Sequence, residues 1–293
     1  MVKTILITGG GRGLGRATAG HLAALGHRVL LTARGLSDGQ RAVAEIQAQS
    51  LGAKVEARVL DLSVLASVRA FGERLSAEGL ALDVLFNCAG VMQQNPVRQV
   101  TVDGFEQTLA VNTLAPFLLT RTLLPALRRS TEARVINVSS RLHLPDSRGK
   151  PVHFDFEDPH LLRGYNPDRA YKNSKLALLW FTFELQRRLG VGTSVTANAV
   201  CPGFVPMTAA NSTTGFQRWL LRHVLVHLPF ARSIEESVES FVFMALDASL
   251  VQVGGKFFGE KTAIASSPES LDVSKARQFW ELATQATASG SWP

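Results

Sequence analysis

A phenol and an ammonium four positions apart, in Tyr171-Lys172-Asn173-Ser174-Lys175, are the groups of this chain best suited to moving a proton. They open a segment with helical spacing, and i, i+4 spacing puts them on one helix face. A cation beside a phenol favours phenolate, which brings the tyrosine pKa toward working pH. The other tyrosine, Tyr165, has Arg169 four positions on, but Pro167 between them works against a shared face. Three further features converge on Tyr171. The run Arg134-Val135-Ile136-Asn137-Val138-Ser139-Ser140 reads as a strand that delivers two hydroxyls to its carboxyl end, where ligands bind in parallel sheets. Another strand ends in Asn87-Cys88-Ala89-Gly90, whose small residues allow a ligand close approach. Asn112 is a polar residue inside an apolar helical run, and a buried amide there needs partners.

A second constellation suits an anion. Thr8-Gly9-Gly10-Gly11-Arg12-Gly13-Leu14-Gly15 follows the first strand and runs directly into a helix. Glycines let the backbone turn tightly and approach a pyrophosphate, while the amides and positive end of the next helix receive the charge. The second strand ends in Ala33-Arg34-Gly35, with no acidic residue where a free ribose 2′-hydroxyl would want one. Arg34, with Arg12 from the glycine turn, suits a 2′-phosphate instead, hence NADP (NADPH) over NAD.

The elements that must hold these groups follow from periodicity. Residues 3–8, 28–33, 54–59, 82–87, 133–139, 194–200 and 254–258 read as strands, about seven in all. Helical spacing occupies 13–25, 38–51, 63–78, 104–129, 169–189, 233–248 and 272–287, with Ser63 a cap for the third. This alternation predicts an α/β fold, a Rossmann-type doubly wound parallel sheet with helices on both faces. No linker or composition break divides residues 1–293, which predicts one domain with a loop insertion at 141–168 and an apolar, basic excursion at 204–232.

Composition excludes several classes. A chain of 293 residues, 46% hydrophobic and 19% charged, buries a full core and is not disordered. No stretch reads as a signal peptide or a transmembrane segment. Cys88 and Cys201 cannot build a disulfide framework, so a cytoplasmic setting is expected. The histidines His143, His153, His160, His223 and His227 show no ligand spacing beyond the His223/His227 pair, and no metal is expected. The 31 Lys+Arg against 24 Asp+Glu concentrate around the glycine turn, the Ser140 strand and the Tyr171 helix, as a field for a phosphorylated dinucleotide. No basic stripe with interleaved aromatics suggests nucleic acid.

With these residues in order along the chain, the sequence resembles the short-chain dehydrogenase/reductase family from Thr4 to about residue 260. The Thr-Gly-x-x-x-Gly-x-Gly pattern falls on Thr8, Gly9, Gly13 and Gly15, with Leu14 inside it. The adenine-contacting Asp-Leu falls on Asp61-Leu62, and Asn-Asn-Ala-Gly on Asn87, Cys88, Ala89 and Gly90, with Cys88 replacing the second Asn. The Pro-Gly after the sixth strand is Pro202-Gly203, with Val205 and Thr208 in the same cofactor loop. The resemblance implies a catalytic tetrad of Asn112, Ser140, Tyr171 and Lys175. In it Tyr171 is the acid/base, Lys175 lowers its pKa and binds the nicotinamide ribose, Ser140 holds the carbonyl oxygen, and Asn112 holds a relay water. It also implies hydride transfer between NADP(H) and an alcohol/carbonyl carbon.

The long Ser140–Tyr171 separation, Val152-His153-Phe154-Asp155-Phe156 within it, Gly254-Gly255-Lys256-Phe257-Phe258 and Phe279-Trp280-Glu281-Leu282 are similar to the retinol dehydrogenase and protochlorophyllide reductase branch. The sequence departs from that branch in lacking an N-terminal apolar anchor and in carrying Ala177 where a functional cysteine is expected. Met207 stands in place of the motif threonine, with Thr208 next to it. The apolar run 216–230 falls at the family's substrate lid and suggests an apolar small-molecule substrate, retinoid-, steroid-, lipid- or polyaromatic-like. Its basic and apolar mixture is also compatible with peripheral membrane contact. A catalytically silent NADP-sensing protein is the rival reading, opposed by the intact tetrad. The sequence leaves monomer or homo-oligomer open.

Overall fold

The computed structural model describes residues 1–207, 228 and 231–289. Its centre is one eight-stranded sheet. The strands are β1 (Thr4–Ile7), β2 (Arg28–Ala33), β3 (Val55–Val59), β4 (Val84–Asn87), β5 (Ala133–Val138), β6 (Val195–Cys201), β7 (Phe257–Gly259) and β8 (Thr262–Ile264), in the order β3-β2-β1-β4-β5-β6-β7-β8. All neighbours are parallel except β7 and β8. The eighth strand is the one that periodicity did not show. It is three residues long, largely exposed, and turns back at Glu260, whose φ is 62°.

The strands read as continuous apolar runs because both faces are covered. Alternation at period two sends Ile5, Ile7, Val29, Leu31, Val84 and Phe86 to one face, against α1 (Gly13–Ala24), α2 (Leu36–Gln49) and Phe241. It sends Leu6, Leu30, Leu85 and Val135 to the other, against α3 (Leu65–Ala77), α4 (Gln107–Leu127) and α5 (Pro167–Leu189). Phe241 belongs to α6 (Ile234–Leu246), and α7 (Val273–Ser289) packs on α5. By length and hydropathy α4 could cross a membrane, but 78% of its apolar window is buried within the molecule, so it is a core helix.

Helix entries follow local chemistry. Asn166 caps α5 by accepting from the Arg169 amide at 3.0 Å with Pro167 in the first turn, and Ser233 and Glu236 form a capping box on α6. Ser63 does not cap α3. Its amide and hydroxyl are taken by Asp61, and Asp103 from a distant loop accepts from the Leu65 amide at 2.8 Å. Tertiary contact has replaced the local cap. The basic surplus is also partly structural. Arg134 is buried and donates to the Met244 and Asp247 carbonyls at the end of α6, while Arg187 and Arg188 are held by buried Glu184.

The strand order reverses between β1 and β4. In such sheets the crevice outside the carboxyl ends at that reversal receives ligands. Both the glycine turn after β1 and the Asn87–Gly90 segment after β4 open onto it.

Candidate active site

The glycine turn is shaped by contacts that leave no room for side chains. A Cβ on Gly15 would stand 2.5 Å from the Gly9 carbonyl oxygen, one on Gly10 would stand 2.5 Å from Leu31, and one on Gly9, where φ is +70°, would stand 2.9 Å from Ala89. Thr8 locks this turn to the end of β4. Its buried hydroxyl accepts from the amides of Cys88 and Ala89, both at 3.1 Å. Thr8→Val keeps the shape and removes the acceptor from two amides, so a loss of about 2 kcal/mol is expected. A thermal melt should show this as a fall in Tm of roughly 4 °C.

Arg12 and Arg34 are exposed, and among the described residues neither is paired with a carboxylate, whereas Arg16 and Arg41 are held by Glu45 and Asp38. Leu14 is buried beneath the turn. Asp61 uses one carboxylate oxygen on Ser63, and Leu62 is buried in the core. Asn87 ends β4 with its side chain turned inward. Its amide donates to Asn137 at 2.8 Å and Thr120 at 3.3 Å, so the side chain ties β4 to β5 and α4. The signal for this lay in the chain: Asn137, Thr120 and Thr182 are polar residues inside apolar runs, and Asn137 in turn donates to Thr182. Gly203 has φ +82°, a backbone favouring glycine, and a Cβ there would strike the Arg232 side chain at 2.6 Å. Pro202 accepts from Ser237 through its carbonyl, and Val205 packs in the core. Thr208 and nearly all of the 216–230 run, His223 and His227 included, lie outside the described residues.

The four chemical residues come together at the carboxyl end of β5. Tyr171 and Lys175 lie one turn apart on α5, with the Lys175 ammonium 5.6 Å from the centre of the Tyr171 ring. The ammonium donates to the Val138 carbonyl at 2.8 Å. The Ser140 side chain lies beside the Tyr171 phenol, close enough to oppose the rise of its pKa, while buried Ser139 turns to the Lys175 carbonyl. Gly90 closes one side, where a Cβ would stand 3.4 Å from Asn112 Oδ1 and 3.6 Å from Lys175 Nζ.

Asn112 sits in a π turn, Ala110–Leu114, within α4. Pro116, four positions on, has no N–H to give the Asn112 carbonyl, and the helix widens at this point. The Asn112 amide accepts from Val91 N at 2.8 Å and donates to Val91 O at 2.9 Å and Ser174 Oγ at 3.0 Å. Ser174, to which the motif assigns no role, thus joins α4 to α5, and its hydroxyl donates to the Tyr171 carbonyl.

Electrostatics correct one expectation. Burial pushes the Tyr171 phenol up to about 12, offset in part by the Ser140 side chain beside it. Burial also brings the Lys175 ammonium down to about 8. The cation expected to lower the phenol lies 5.6 Å from the ring centre and donates to a main-chain carbonyl, and its influence is exceeded by desolvation, which sets the direction. Among the described residues, no group of three or more His, Cys, Asp or Glu side chains could hold a metal ion.

Comparison with known proteins agrees with this architecture. The family model for short chain dehydrogenases matches residues 3–150. Retinol dehydrogenase 13 of Homo sapiens is 36% identical over 290 residues, covering 95% of this chain and 82% of its own length. Retinol dehydrogenase 12 of Bos taurus is 38% identical over 283 residues, covering 97% and 85%. Among solved structures, a metagenomic short-chain oxidoreductase in complex with NADP superposes with a TM-score of 0.61 at 26% identity, over 89% of this chain and 98% of that one. A blue fluorescent protein from a metagenomic library, in complex with NADPH, gives 0.64 at 29% identity over 90% and 98%. Sequence likeness across nearly the whole length, on a sheet whose reversal point carries the glycine turn, places the chain in the short-chain dehydrogenase family, as a retinol dehydrogenase-like oxidoreductase of alcohol/carbonyl pairs that uses a nicotinamide cofactor.

Proposed function

We propose that the protein is an NADP(H)-dependent alcohol dehydrogenase/carbonyl reductase for an apolar substrate, with Tyr171 as its acid/base. The observation that carries this reading is the Tyr171 phenol, beside the Ser140 side chain and one helical turn from a buried ammonium, next to the crevice at the strand reversal. The glycine cradle and two arginines with no carboxylate partner among the described residues fit a phosphorylated dinucleotide. When bound, the reduced nicotinamide supplies hydride to the carbonyl carbon.

The chain's own residues handle the oxygen and its proton. Ser140 holds the substrate carbonyl oxygen, and Tyr171, a neutral phenol across the neutral pH range, gives that oxygen its proton as negative charge develops. Lys175, within 5.6 Å of the ring, stabilises the phenolate that remains. The Asn112 amide is fully engaged, so its part in returning a proton to Tyr171 falls to its main-chain carbonyl, which can hold a water. A phenol held near 12 favours reduction at neutral pH, and oxidation should quicken as pH rises.

Support for an apolar substrate comes from exposed Met92, Leu142, Phe204 and Met207, which follow the carboxyl ends of β4, β5 and β6. The free thiols of Cys88 and Cys201 fit a reducing compartment such as the cytoplasm. NADPH oxidation with aldehydes and ketones of graded size tests the activity. Arg34→Asp should lower kcat/KM with NADPH by roughly 30-fold or more, through loss of one charge-assisted clamp and repulsion of the 2′-phosphate, and should raise it with NADH by offering an acceptor to the free 2′-hydroxyl. An unaltered NADPH/NADH ratio would remove Arg34 from the cofactor site.

A further inference from the structure

We propose that His143 is a positioning residue for Ser140: its ring fixes the turn that presents the Ser140 hydroxyl to Tyr171 and ties that turn to the segment after β8. The inference rests on the role given to Ser140 above. Ser140 is extended, with φ −152° and ψ 150°, and caps the 3-10 turn Arg141–His143, its hydroxyl accepting from the Leu142 amide at 3.2 Å. Its carbonyl accepts from the His143 main-chain amide at 3.4 Å and lies 2.5 Å from His143 Nδ1. The ring is 0% exposed and stands edge-on to Phe257 of β7, with centroids 4.9 Å apart. On its far side, Nε2 lies 3.3 Å from the Ser267 amide.

These contacts specify one tautomer. A backbone amide can only donate, so Nε2 must carry a lone pair and the proton must sit on Nδ1, where it is donated to the Ser140 carbonyl. Two main-chain groups then hold the ring from opposite sides, and the ring holds the Ser140 carbonyl. An imidazolium would set N–H against N–H at Ser267. The charged group facing the ring from the 3-10 turn Pro268–Leu271 is Glu269. Phe257 and Ser267 bring no charge, α5 contributes Tyr171 and Lys175 beside the turn, and Arg141 of the same turn lies against Gly259. Burial outweighs Glu269 and holds the imidazole below its ordinary 6.5. The neutral ring is therefore the working form at pH 7, and the clamp opens only as pH falls through the lowered value.

The test uses the full chain with NADPH and whichever aldehyde of a graded panel it reduces, together with 15N spectra of the imidazoles. The Nδ1–H tautomer of His143, recognised by its loss in His143→Phe, is expected at pH 7. His143→Phe keeps a ring against Phe257 and loses both hydrogen bonds, so kcat should fall about tenfold with KM for NADPH unchanged. The acid limb of the kcat profile should flatten. His143→Asn restores a donor toward the Ser140 carbonyl and should return kcat to within about threefold of the wild type. An Nε2–H tautomer or an imidazolium at pH 7 overturns the proposal. So does full kcat in His143→Phe while Tyr171→Phe is inactive. A wild type that reduces no carbonyl while showing the Nδ1–H tautomer overturns the reading of Ser140, and with it the positioning role.

Discussion

Tyr171→Phe is expected to lower kcat/KM for carbonyl reduction by roughly 10³-fold while the Kd for NADPH stays within about twofold. A loss of that size corresponds to about 4 kcal/mol of transition-state stabilisation. It follows from what the phenol alone can do at this position. Burial keeps Tyr171 protonated to about pH 12, so it reaches the reaction as a proton donor, and phenylalanine keeps the ring but has no proton to give. Ser140 still accepts from Leu142 in the variant, so the turn that carries it keeps its shape. The glycine cradle, Thr8 and Arg34 do not touch the phenol, which is why cofactor affinity should hold. Steady-state kinetics beside fluorescence titration of NADPH separates the two. A variant that keeps a tenth or more of the wild-type kcat/KM would show that another group donates the proton.

The contrast between what was legible in the chain and what was not runs along one physical line. Strands such as Ile5-Leu6-Ile7 and Val84-Leu85-Phe86 declare themselves because both faces are buried, leaving no polar alternation to confuse with a loop. Tyr171 and Lys175 declare themselves because helical geometry fixes their relation once the helix is assumed. Properties that depend on burial or on distant partners do not show. The Tyr171 pKa moves up, not down, because desolvation exceeds the influence of a neighbouring cation that is engaged elsewhere. Asn87 turns into the fold because Asn137 and Thr120, far off in sequence, are there to receive it. Ser63 loses its capping role to Asp103 for the same reason. The π turn at Asn112 lies between these extremes. Pro116 announces a break in the helical hydrogen bonding inside the 104–129 run, but only the structure shows that a π turn absorbs it.

Lys175→Met should produce the opposite responses in activity and stability. Lys175 is 4% exposed, and its ammonium donates to the Val138 carbonyl. Its folded pKa of about 8 lies below the ordinary 10.5, so the unfolded chain holds this proton more tightly than the folded one. Below pH 8 both states carry the charge, and folding bears the full cost of burying it, on the order of 3 kcal/mol. Between pH 8 and 10.5 the folded state sheds the proton first, and this cost fades. Methionine fills a similar volume with no charge, though it leaves the Val138 carbonyl without its donor at about 1 kcal/mol. The net expectation at pH 7 is a gain of about 2 kcal/mol, or a rise in Tm of roughly 4 °C, in the protein without cofactor. That difference should shrink toward zero or reverse by pH 10. Activity should fall by roughly 10²-fold or more, since no cation remains to stabilise the Tyr171 phenolate. Melting curves of both proteins at pH 7 and pH 10 decide the matter. A variant less stable than the wild type at pH 7 would mean that the Val138 contact outweighs the cost of the buried charge, and that Lys175 serves the fold as well as the chemistry.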